Sequence, residues 1–196
     1  MDLTAFIPEA WKTIARAVAE AGVDANLHRA PAKISKTVKR HCMAELKRLT
    51  LILRRLIFLM ALSMNLAPVK PRAASNYFEA KESAPQTDTV SFQLTPASPG
   101  ECPHFLRGPL MLPQSGFVDA APMIARWNAL LHVLKTHQRR AKSLARTLAR
   151  WQAAGEAKPV ILPMAKVHRL SPQLGLIASA LPMLISQGLE QWPDTG

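Results

Sequence analysis

Apolar residues recur at intervals of three and four in four stretches of the chain, and each interval predicts a helix with one face to bury. The first runs from about Glu9 to Ala21, with Trp11, Ile14, Ala15 and Val18 on one stripe, Pro8 suited to the first turn and Gly22 as the stop. The second and most pronounced runs from about Ile34 to Leu66. Leu46, Leu49, Leu53, Leu56, Ile57, Met60 and Met64 line one side of it, and Phe58, Leu59 and Leu62 carry the apolar surface round the back. Ser35 is a cap for this helix if it starts late, and Pro68 and Pro71 end it. A helix apolar on all sides has to be covered, by protein or by lipid.

A third helix is expected over 121–154, with Asp119 as cap, Pro122 in the first turn and Gly155 after the end. Its stripe is Trp127, Leu130, Leu131, Leu134, Ala141, Leu144, Ala145, Leu148 and Trp151. The fourth, from about Pro172 to Gly188 and kinked near Pro182, turns Leu174, Ile177, Leu181, Leu184 and Ile185 toward another helix or a membrane interface. A proline-bounded apolar run, Val160 to Met164, precedes it, and the tail Gln191 to Gly196 reads as loose.

The pattern lapses between the second and third helices. Nine of the chain's 16 prolines fall from Pro68 to Pro122, among Ser, Thr, Gln and Gly, so this stretch buries too little apolar surface to offset its ordering entropy. Within it Val90 to Leu94 alternates like a short strand, and Phe105 to Phe117 carries scattered apolar residues suited to docking as extended peptide. The expected fold is therefore all-α: a small bundle of about four helices with a long Pro-rich, largely disordered insertion between helices 2 and 3. Three segments follow, 1–67, 68–120 and 121–196.

Charge sharpens this picture. Of 196 residues, 25 are Lys or Arg and 13 Asp or Glu, for a formal net charge of +12. Residues 28–72 hold 11 basic residues against one acidic, and residues 123–158 hold eight against one. The predicted contact residues for a polyanion are Lys47, Arg48, Arg54 and Arg55 on the second helix and Arg139, Arg140, Lys142, Arg146 and Arg150 on the third. Solvation of helix faces accounts for any one of them taken singly. Leu56, Ile57, Phe58, Leu59 and Met60 are the candidates for shallow apolar insertion or for packing.

A bilayer span is not expected. Over residues 49–67, ten Leu, Ile and Phe residues favour insertion by roughly 3 to 6 kcal/mol, while Arg54 and Arg55 cost about 2.5 to 3.5 kcal/mol each near the centre of a span. Residues 170–189 are uncharged but diluted by Ser, Gln, Gly and Pro. Cys42 and Cys102 are 60 positions apart, which gives no disulfide framework and points to a reducing cytosol, with no secretory leader in view. Cys102 and His104 form a C-x-H pair that reads as two unrelated loop residues, and His132 and His137 point about 140° apart on one helix.

No glycine-rich phosphate loop, G-x-S-x-G, H-E-x-x-H or facing pair of carboxylates occurs, so the expectation is a protein that is not an enzyme and needs no cofactor or metal. The expected function is association with the cytoplasmic face of an anionic membrane, the two basic helices meeting headgroups and the segment from Leu56 inserting shallowly. One alternative is nucleic-acid binding or regulation through the basic face of helix 121–154. Another is an adaptor or homo-oligomer whose apolar surfaces meet a specific protein partner.

Overall fold

The computed structural model describes residues 3–64, 116–164, 167–190 and 192. Four α-helices dominate it: α1 Leu3–Asp24, α2 Lys36–Leu62, α3 Ala121–Ala153 and α4 Pro172–Gly188. The all-α expectation holds, with one addition. Strands β1 Lys33–Ser35 and β2 Phe117–Asp119 pair antiparallel in the register Lys33 with Asp119, Ile34 with Val118 and Ser35 with Phe117. The Pro-rich insertion expected to be disordered, the alternation at 90–94 and the Cys102/His104 pair lie outside the described residues.

Local chemistry sets most helix ends. The backbone N–H of Val38 donates to Ser35 Oγ at 3.2 Å, so Ser35 caps α2 and the helix starts late because Ile34 is held in the ladder. Ala121 N–H donates to Asp119 Oδ1 at 3.0 Å at the start of α3. At its end Gly155 takes φ 68°, and Glu156 N–H and Gly155 N–H reach back to the carbonyls of Trp151 and Gln152. That is the paired closure in which a left-handed glycine satisfies the last carbonyls. Pro172 opens the first turn of α4, where its missing N–H costs nothing.

The first helix differs from expectation at both ends. It begins at Leu3 with Pro8 inside, one forfeited backbone bond in the second turn being tolerable so near the terminus. It also runs through Gly22 to Asp24, and the chain turns instead where Asn26 adopts φ 54°. Gly22 serves packing: a Cβ there would fall inside the Trp127 indole.

Close Cα approaches divide the described chain into two compact units, the first drawing on residues 3–11, 55–64, 136–164, 167–190 and 192, the second on 12–54 and 116–135. In the second unit Ile14, Val18, Leu27, Leu46, Leu49, Ile52, Leu53, Met123, Leu130 and Val133 are buried. Trp127 Nε1 donates to the Val18 carbonyl at 2.8 Å, and the ladder continues outward through Lys36 N–H to Gly116 O and Ala120 N–H to Ala32 O. Thr50, a buried polar residue, returns its hydroxyl to the Leu46 carbonyl at 2.6 Å within its own helix.

In the first unit the buried set comes from the second half of α2, the second half of α3 and one face of α4, where Leu174, Ile177, Leu181, Leu184 and Ile185 are the buried residues the spacing predicts. A Cβ at Gly188 would stand 3.0 Å from Leu62 Cδ1, so the end of α4 lies against the end of α2. The Trp11 and His137 rings meet at a centroid distance of 4.0 Å. His137 is half-buried on this aromatic face. In the tail expected to be loose, Trp192 is instead buried and donates from Nε1 to the Glu156 carbonyl at 2.9 Å.

Candidate polyanion-contact surface

The nine basic residues singled out by sequence have two different fates. On α2 only Lys47 is exposed; Arg48, Arg54 and Arg55 are half-buried. Burial, and after it the charge of Arg126, holds the Arg54 guanidinium below its ordinary pKa. Burial alone does the same to Arg55. Guanidinium groups stay protonated under such shifts, so the effect is a desolvation cost rather than a loss of charge. Arg55 also acts as a fastener. Its Nη2 donates to the backbone carbonyl of Leu162 at 2.5 Å, holding the segment after α3 from a position 107 residues earlier in the chain.

The α3 set behaves otherwise. Arg139, Lys142, Arg146 and Arg150 are all exposed. At 100° per residue they fall within an arc of about 80° and span about 16 Å along the axis. The opposite positions Ala141, Leu144, Ala145 and Leu148 are buried, so the helix cannot rotate the stripe away without unpacking. Arg140 is half-buried beside it, its Nε donating to Thr136 Oγ1 at 3.2 Å, and Arg150 Nη2 donates to Thr147 Oγ1 at 3.2 Å. The 33 residues of α3 include no Asp or Glu, so nothing on the helix offsets the stripe's field.

The apolar candidates divide as well. Leu56 and Ile57 are 0 % exposed and Leu59 1 %, whereas Phe58 and Met60 are half-buried. In this conformation Leu56, Ile57 and Leu59 pack; presenting them to lipid would require opening the first unit, at about 1.5–3 kcal/mol for each side chain withdrawn from the core. Among the described residues no helix is long and apolar enough to cross a membrane. The large apolar side chains that do reach solvent in this unit are elsewhere: Val160 at 81 % and Leu162 at 70 % exposure, in the segment between Pro159 and Pro163, with Leu176 and Met183 on α4. The flanking prolines of that segment were visible in the sequence, and its exposure was not, because nothing local says which apolar run the core will accept.

Among the described residues no three His, Cys, Asp or Glu side chains are grouped so as to hold a metal ion. No protein-family model, curated protein or solved structure matches the chain.

Proposed function

We propose that the protein is a non-enzymatic, peripheral binder of anionic membrane surfaces, with α3 as its basic amphipathic contact helix. The observation that carries the reading is the exposed stripe Arg139, Lys142, Arg146 and Arg150, fixed outward by the buried face opposite and unopposed by any acid on the helix. Each such residue close to an anionic leaflet contributes about 1 kcal/mol, so four together amount to about three orders of magnitude in partitioning. The apolar part of the contact falls to Val160 and Leu162, which follow α3 in the same unit and are already in solvent, in place of the buried segment from Leu56. A surface meant only for phosphates along a nucleic acid has no use for two solvent-exposed aliphatic residues held on a fastened loop.

Co-sedimentation with vesicles tests the reading. The full chain is expected to pellet with phosphatidylserine-containing vesicles at low salt, to stay in the supernatant with purely zwitterionic ones, and to be released as salt rises. Charge reversal of Arg139, Lys142 and Arg146 to Glu should abolish pelleting, and Val160→Ser with Leu162→Ser should weaken it. Failure of the unaltered chain to pellet, or pelleting that survives the triple reversal, sinks the proposal. Tight, salt-dependent binding of duplex DNA or RNA that the same reversal removes, without vesicle binding, would transfer the stripe to nucleic acid.

A further inference from the structure

The second unit contains a cavity of about 270 Å³ between the last turns of α1 and the first turns of α2. Its floor is buried and apolar, made by Ala21, Ala25 and Cys42; its mouth is formed by the exposed Asp24, Thr37, Val38 and His41 and the half-buried Glu45. Val38, an exposed aliphatic residue in the first turns of α2, faces this space rather than a core. The volume is just below the range of pockets that take drug-sized molecules, so the occupant is small.

The charge at the mouth runs against the rest of the molecule. In a chain of net charge +12, two of the seven described carboxylates line this one cavity, and no Lys or Arg does. The end of α1 and the start of α2 bring opposed helix-end partial charges that offset each other, leaving Asp24 and Glu45 to set the sign. Their field reaches the floor. The Cys42 thiol, whose Sγ lies 3.9 Å from the Ala21 carbonyl, is pushed up to about 11 by burial first, then by Glu45 and then by Asp24.

We propose that this cavity binds a small organic cation with an apolar body, of the class of a protonated aliphatic monoamine, its hydrocarbon on Ala21, Ala25, Val38 and Cys42 and its ammonium between Asp24 and Glu45. A metal ion is a poor occupant because the described residues group no three ligands for one. An anion meets two carboxylates, and a neutral solute of the same shape forgoes both ion pairs.

The test compares n-pentylamine, pentan-1-ol and pentanoate at millimolar concentration against the full chain, by heteronuclear NMR at Ala21, Ala25 and Val38. The amine is expected to shift these signals and to bind about three- to tenfold more tightly than the alcohol, the worth of two partly exposed ion pairs, with pentanoate giving no shift. Asp24→Asn together with Glu45→Gln should erase the advantage of the amine and leave the alcohol unchanged, while Glu190→Gln should do neither. Equal binding of amine and pentanoate, or no shift at these residues with the amine, overturns the proposal. Should the double variant fail to fold, the contrast between amine and pentanoate on the unaltered chain still decides.

Discussion

The two basic helices look alike in sequence and are used differently. On α2 the arginines at 54 and 55 are drawn half into the protein, and one of them holds the Leu162 carbonyl; on α3 the basic residues at 139, 142, 146 and 150 stand in solvent. The difference comes from what surrounds each stripe. The second half of α2 is apolar almost all the way round, so burying Ile52, Leu53, Leu56, Ile57 and Leu59 drags the intervening arginines with them. On α3 the apolar positions are confined to one side, and burial of Leu144 and Leu148 leaves the opposite side wholly outside. The long aliphatic stems of Arg54 and Arg55 make their half-burial tolerable where a shorter charged side chain would not. Positive charge on a helix thus stands wholly in solvent only when the apolar arc beside it is narrow.

Substitutions on the two helices, and at the residues they hold, test this difference. Leu56→Ala should cost about 2–5 kcal/mol in urea unfolding, the range for truncating a fully buried leucine. A cost below about 1 kcal/mol would mean that Leu56 is available for insertion after all. Gly22→Ala is expected to destabilise by about 1–3 kcal/mol because the methyl group meets the Trp127 indole, which outweighs the roughly 1 kcal/mol that alanine gains in helix propensity. In the Trp127→Ala background the same change should turn neutral or stabilising, a sign reversal readable in thermal midpoints.

Arg55→Ala should cost about 1 kcal/mol, since the Leu162 carbonyl can turn to water once its donor is gone. Its larger signature is kinetic: limited proteolysis within 159–163 should accelerate, and Arg55→Lys, lacking the planar fork, should restore protection only in part. Removal of the α3 stripe, Arg139, Lys142 and Arg146 to Gln, should change stability by less than about 0.5 kcal/mol. A substantial loss there would show the exposed arginines to be structural, and would collapse the distinction between the two helices.

The exposed apolar segment at 159–163 makes the same point from the other side. Val160, Ile161 and Leu162 are as aliphatic as Leu56 and Ile57, yet Val160 and Leu162 face water while Leu56 and Ile57 are wholly buried. Two prolines keep the segment out of regular structure, so it has no repeating face to lay against a core, whereas the α2 residues return every turn to the same side. Composition cannot separate these cases, and periodicity marks only which run has a face to bury, not which apolar surface the protein will cover.

Periodicity and punctuation were enough for the four helices, for the Ser35 cap and the Gly155 closure, and for the buried faces of α4 and of the second half of α3, because each follows from interactions within a few residues. In the first half of α3 the buried Met123 and Val133 lie outside the predicted stripe, and Leu131 and Leu134 within it are only half-buried. The β1–β2 ladder, the role of Gly22 and the anchoring of Trp192 were not legible. Each joins partners far apart in the chain: Ile34 to Val118, Gly22 to Trp127, Trp192 to Glu156. The basic character of α2 and α3 was likewise plain in the sequence, but the division between desolvated and solvent-facing charge was a tertiary decision. It depends on how much of each helix circumference other elements cover, and coverage is a property of the packed chain rather than of any stretch within it.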